Sequence, residues 1–192
     1  MNSESFFKKV QSYVELSPLS MASWRTILRP EVRKRGEPFV AMGQIPKRVG
    51  FVEEGLLSQE YVSVTGESTI KYFFPEGRFA ASAGAMLTTT PSSFSIVALE
   101  DSRLISYDFA KFKQLAERHS DISTFYVRYM ELHWIVEKEP LEISFRHDNA
   151  PARYQRLLET YPGLVPRLKK HQIASYLGIT PTQLSRIFAS AK

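Results

Sequence analysis

The chain has 192 residues, no cysteine and a net charge of +5. That length builds one or two domains with an adequate core, and the absence of thiols excludes disulfides, thiolate zinc sites, cysteine-ligated iron–sulfur clusters and cysteine nucleophiles. No run approaches about 18 apolar residues and the N-terminus lacks a signal-peptide pattern, so the sequence predicts a cytoplasmic protein with no membrane span.

In chain order, two helical segments come first, over residues 6–16 and 18–28. From about residue 31 to 109 the segments turn short and rich in β-formers: "PFVAM", "RVGFVEEGLLSQEYVSV", "STIKYFFPEG", "SFSIVAL" and "RLISYDF". Glycine and proline punctuate them, and "VTGES" predicts a hairpin with Gly66 at its tip. Many short strands with regular turns indicate an antiparallel β-roll or sandwich. A helix resumes at Phe109 with "FAKFKQLAER".

The stretch "SDISTFYVRYMELHWIVEKEP" follows. Ser120 or Asp121 can cap its start. Ile122, Phe125, Tyr129, Leu132 and Val136 step alternately by three and four, an a/d heptad seam. So narrow a seam wants a partner helix and predicts a homodimer; the alternative is an amphipathic helix lying on its own domain. Pro140 is expected to end or kink this helix. Another helix then starts, with Asn149 or Ala150 ahead of Pro151.

From Pro151 to Lys192 there are seven basic side chains and one acidic, a net +6, whereas the preceding 150 residues sum to −1. The basic excess points to a polyanion partner for this segment; a solvated basic tail is the alternative. Within it, "KHQIASYLGITPTQLSRIF" fits a helix-turn-helix. Ala174 is small where two helices would cross. Gly178 supplies the positive φ that ends the first helix. Ile173, Leu177, Ile179, Leu184 and Ile187 form a small core. Thr180 caps the second helix, Pro181 suits its first turn, and Gln183 completes a capping box. An ordinary helical hairpin is the competing reading. In a DNA-binding motif the second helix enters the major groove. Its outward residues Thr182, Gln183, Ser185 and Arg186, with Thr180 at its start, would then face DNA. Arg186 is the best base reader, because its planar fork can bond guanine O6 and N7 together. Gln183 either pairs with adenine or serves only the cap. Lys169, Lys170 and His171 open the first helix, placed to meet phosphates.

With these residues in view, the chain resembles the CRP/FNR family of bacterial transcription regulators over nearly its whole length. The carriers are "FVEEG" (51–55), "FFPEGRFAAS" (73–82), "ALEDSRLISYDFAKF" (98–112) and the helix-turn-helix, which is similar to that of short, wingless Bacteroidetes-type members. The resemblance implies an α+β fold: an N-terminal antiparallel β-roll (a cyclic-nucleotide-binding-like jelly roll) with flanking helices, a long dimerisation helix and a C-terminal helical helix-turn-helix. It divides the chain into a sensor roll over 1–118, a dimerisation helix and linker over 119–148, and a DNA-binding domain over 149–192. It also implies a homodimer on a pseudo-palindromic double-stranded operator, with RNA polymerase as a further partner.

The pocket departs from the family pattern. Ala81 and Ser82 stand where cyclic-nucleotide binders carry Gly-Glu, and Ser92 and Ser93 stand where they carry Arg-Ser. Without that arginine a buried phosphate lacks its charge-assisted partner. Arg78 is nearby, but on the wrong side of the turn. The pocket is therefore read as degenerate, unable to take cAMP, with the effector unknown. The oxygen-sensing branch needs cysteines, and there are none. His119, His133 and His147 recur every 14 residues, about 21 Å apart on one helix and too far to share a metal. No metal, cofactor or enzymatic constellation is expected. A sensor or interaction module without DNA binding is the competing function.

Overall fold

The computed structural model describes residues 3–190. Two short helices lead in: α1 (Glu4–Gln11) and α2 (Pro18–Arg25), the latter capped by Ser17 Oγ, which accepts from the Ser20 N–H at 3.1 Å. Eight antiparallel strands follow: β1 (Arg29–Arg33), β2 (Pro38–Val40), β3 (Arg48–Glu54), β4 (Leu57–Val62), β5 (Ser68–Phe74), β6 (Phe79–Ala80), β7 (Ser95–Ala98) and β8 (Ser102–Asp108). They form two four-stranded sheets, ordered β1-β8-β3-β6 and β2-β7-β4-β5. Between the sheets lie Phe39, Val52, Leu57, Phe74, Ile96 and Leu104. The jelly roll expected from the short β-rich segments is present, and the β4–β5 hairpin turns at Gly66, whose φ is +83°.

Gly55, the glycine of "FVEEG", follows β3 at a φ of +101°. A Cβ there would lie 2.8 Å from the Ser102 backbone, so the two strand ends can meet only around a glycine.

A short helix α3 (Ala83–Thr88) bridges β6 and β7, and α4 (Phe109–Arg118) opens on an Asp108 cap. The long helix has three parts: α5 (Ser120–Met130), a π-helical segment (Glu131–Val136) and α6 (Lys138–His147). Pro140 does not end it. The proline sits in the first turn of α6, where its missing N–H has no helical partner to lose. The α register is instead interrupted just before, where the Glu137 N–H reaches back five residues to Leu132.

The seam prediction needs correcting. Ile122, Phe125 and Tyr129 are buried within their own chain, not offered to a partner. They join Phe6, Phe7, Trp24, Phe51 and Phe79 in a core between the lead-in helices and the outer face of the β3-containing sheet. Ring contacts at 5.2 Å (Trp24–Phe125) and 5.0 Å (Phe79–Tyr129) hold α5 there. Asp121 fastens its start, accepting from the Ser17 N–H at 2.8 Å and the Ser20 hydroxyl at 2.7 Å. Across the π segment the buried face passes from Tyr129 to His133. Leu132 and Val136 come off it, 40% and 59% exposed, beside Ile135 at 60%.

The C-terminal fifth holds α7 (Ala150–Thr160), with Asn149 as its cap, a 3-10 turn (Val165–Arg167), α8 (Lys170–Leu177) and α9 (Pro181–Ser190). Leu157, Tyr161, Leu164, Ile173, Leu177 and Leu184 share one core with Ile70 and Phe73 of the roll.

Candidate nucleic-acid interface and roll cavity

The α8–α9 pair is built as its sequence requires. Gly178 takes a φ of +65° at the end of α8. Ala174, Ile173, Leu177, Leu184 and Ile187 are buried, while Ile179 is half-buried. Thr180 Oγ1 accepts from the Gln183 N–H at 3.2 Å, and Gln183 Oε1 accepts from the Thr180 N–H at 2.9 Å, so both halves of the capping box are made.

All eight side chains predicted to face DNA are exposed: Lys169, Lys170 and His171 at the start of α8, then Thr180, Thr182, Gln183, Ser185 and Arg186. They are not equally free. Gln183 and Thr180 are engaged in the cap, and Ser185 Oγ donates to the Pro181 carbonyl at 3.0 Å. Arg186 and Thr182 carry no such internal bond among the described residues.

The basic excess is likewise partly spent inside the chain. Arg167 forks between two roll carboxylates, with four hydrogen bonds of 2.7–3.1 Å to Glu76 and Glu100. Arg153 donates to the carbonyls of Leu177 and Asp148, and Arg156 lies 3.7 Å from Asp148. Ser175 Oγ accepts from the Ile70 N–H at 2.9 Å and donates to the Ser68 carbonyl at 2.8 Å, tying α8 to the β5 edge. The cations left to meet a polyanion are Lys169, Lys170 and Arg186; Lys192 lies outside the described residues.

The predicted roll pocket is not assembled as one site. Ser82 and Ser92 do meet, their hydroxyls 2.8 Å apart and both side chains buried. Ser92 Oγ also donates to the Phe94 carbonyl at 2.7 Å and accepts from the Phe94 N–H at 3.2 Å, so the pair is satisfied internally. Ala81 is buried beside them, while Ser93 is exposed.

Arg78 turns away from the serines to a cluster on the long helix, as its place beyond the turn implied. There it contacts His133 Nδ1 and lies 3.0 Å from Glu137 Oε2. Glu137 Oε2 is 2.9 Å from His133 Nδ1, and the Tyr13 hydroxyl is 2.7 Å from His133 Nε2. Burial works to raise the Glu137 pKa, but its hydrogen bond with His133 and the Arg78 charge outweigh that and hold it below the usual carboxylate value. The 14-residue histidine spacing carries no common site: His119 meets Ser20 at 3.2 Å, His133 is buried, and His147 is exposed. Among the described residues no cluster suits a metal, and no helix is long and apolar enough to cross a membrane.

Sequence reasoning missed a cavity of about 170 Å³ between β4, β5 and the long helix. Strand alternation puts Tyr72 and Phe74 on one face of β5, and the π segment and α6 bring Trp134, Leu141 and Phe145 across from them. Its residues lie on elements distant in sequence, so no local motif marks it.

Residues 30–119 match the family model of the cyclic nucleotide-binding domain. No curated protein matches the chain. Among solved structures it is similar to FixK2 from Bradyrhizobium japonicum (TM-score 0.71, 13% identity, 85% of this chain and 84% of that one). It is also similar to a CooA variant from Carboxydothermus hydrogenoformans (0.67, 14%, 95% and 82%). A third is the c-di-GMP-responsive global regulator CLP from Xanthomonas campestris (0.66, 12%, 91% and 91%). Identities this low speak for the fold alone. Residues 30–119 thus resemble a cyclic nucleotide-binding domain, and the chain shares its overall fold with these solved structures.

Proposed function

We infer that the chain is a cytoplasmic, homodimeric DNA-binding transcription regulator of the CRP/FNR type whose serine-filled cassette does not take cAMP. Residues 1–118 are its sensor, 119–148 its dimerisation helix and linker, and 149–192 its DNA-binding domain. The single observation that carries this reading is the division of labour on α8 and α9. Their apolar positions are buried or half-buried, while every side chain placed to face DNA is exposed. Lys169 and Lys170 position the protein on phosphates, α9 enters the major groove, and Arg186 and Thr182 are left to read bases. The dimer would form on the exposed stripe of Leu132, Ile135, Val136 and Ile143. The Ser82–Ser92 pair offers a phosphate neither a guanidinium nor an unused hydroxyl donor.

Selection from a random duplex library tests the reading. The full chain should enrich an inverted repeat with half-sites about one helical turn apart, as two-fold symmetry requires. Recovery of unrelated sequences at every round would favour the alternative, a roll that senses or docks without reading DNA.

A further inference from the structure

Arg167 closes the 3-10 turn, two positions ahead of Lys169. Leu168 between them is extended, with φ −97° and ψ 143°, and so is Lys169, with φ −76° and ψ 150°. Side chains alternate along extended backbone. Leu168 is buried in the core shared with the roll, so Arg167 and Lys169 both project away from it. Two residues of extended chain span about 7 Å at most. By placement Arg167 belongs to the same exposed row as Lys169 and Lys170.

Its guanidinium is turned back onto the roll instead. Nε and Nη2 donate to Glu100 at 3.1 and 2.7 Å, and Nη1 and Nη2 donate to Glu76, both at 2.9 Å. Four carboxylate oxygens thus fill the planar fork that would otherwise suit a phosphate. Glu76 sits in the β5–β6 turn, where its Oε1 also accepts from the Gly55 N–H at 2.9 Å, and Glu100 lies between β7 and β8. Burial works to raise the Glu76 pKa, but its bonds from Arg167 and from backbone N–H groups hold it below the usual carboxylate value. The side chains of Arg167, Glu76 and Glu100 are 31%, 43% and 34% exposed, so ions and DNA can compete for them.

We propose that Glu76 and Glu100 act as an internal phosphate mimic: they occupy Arg167 in place of DNA, and Arg167 becomes a further phosphate contact of each protomer when the roll releases it. The inference rests on the reading of α8 and α9 as a DNA-binding unit, and adds to it one residue and one restraint. Moving Arg167 from carboxylate to phosphate exchanges one anion for another. Counterion shed by the DNA is balanced by counterion taken up at Glu76 and Glu100. The latched Arg167 therefore adds little to affinity or to its salt dependence. Neutral amides in place of the two carboxylates would take up no counterion, and the full contact would show.

Glu76→Gln/Glu100→Gln tests this in the full chain on random duplex. The amide at position 76 still offers an oxygen to the Gly55 N–H, so the fold should survive, as circular dichroism would read. Duplex affinity at about 50 mM salt should rise about tenfold or more. The slope of log affinity against log salt should steepen by about two per dimer. Adding Arg167→Ala to the double variant should return the slope to the parent's. Glu100→Gln alone leaves the Glu76–Gly55 bond untouched and should give a smaller gain of the same sign, which keeps the test open if the double variant is unstable. A parent that binds duplex, with glutamine variants that bind no tighter, would overturn the latch and leave the DNA-binding reading standing. So would a gain that survives Arg167→Ala, which would trace it to the charge of the roll. No binding by the parent or any variant at about 50 mM salt would remove the DNA-binding reading, and the latch with it.

Discussion

Leu132→Lys/Val136→Lys should convert the protein to a monomer that remains folded. Leu132 and Val136 are 40% and 59% exposed on the single chain, and neither belongs to its buried core. In a two-fold dimer on this face, four new ammonium groups would enter one apolar contact. Each buried, unpaired charge costs several kcal/mol, so association should be lost at micromolar concentration. Sedimentation reads the oligomer, and circular dichroism reads the fold. The contrast is Phe125→Ala. That ring packs on Trp24, Phe79 and Tyr13 inside the chain, so its removal should cost about 3–5 kcal/mol of folding stability. A parent protein that is already monomeric, or a lysine variant that stays dimeric, would remove the stripe as the interface.

Arg186→Ala should cost about 1–3 kcal/mol per half-site on the selected operator, and much less on random duplex. Arg186 stands between the buried Leu184 and Ile187 and points outward, with no internal partner among the described residues. Gln183 and Ser185 are engaged within α9, and base reading by either would have to share or break those bonds. Arg186→Lys should also lose discrimination, since an ammonium cannot reproduce the bidentate fork. Lys170→Ala should instead weaken operator and random duplex alike. Equal weakening of both duplexes by Arg186→Ala would make it a phosphate contact and move base reading to Thr182.

The parts of the fold legible in the sequence were those set by local rules. The β4–β5 hairpin follows from Gly66, and the α8–α9 turn from Gly178 and the Thr180–Gln183 box. The seam was misassigned because a 3–4 period says that a face is apolar, not what covers it. The covering residues, Phe6, Phe7 and Trp24, lie about a hundred positions upstream, and only tertiary packing brings them onto Ile122 and Phe125. Leu132 and Val136 continued the pattern in sequence but not in space. The π segment ahead of Pro140 changes the phase, and the buried face passes to His133. Charge counting overstated the free cationic surface for a similar reason. The number of basic residues says nothing of pairing, and Arg167 is held by Glu76 and Glu100 of the roll.

The chain should bind duplex DNA through Lys169 and Lys170 of both protomers. A salt titration of its affinity for random duplex, from about 50 to 200 mM, tests it most directly. Four neutralised phosphates should give a slope of about −4 in log affinity against log salt, and Lys170→Ala should make it shallower by about two per dimer. An affinity indifferent to salt, or no binding at the lowest salt, would contradict it.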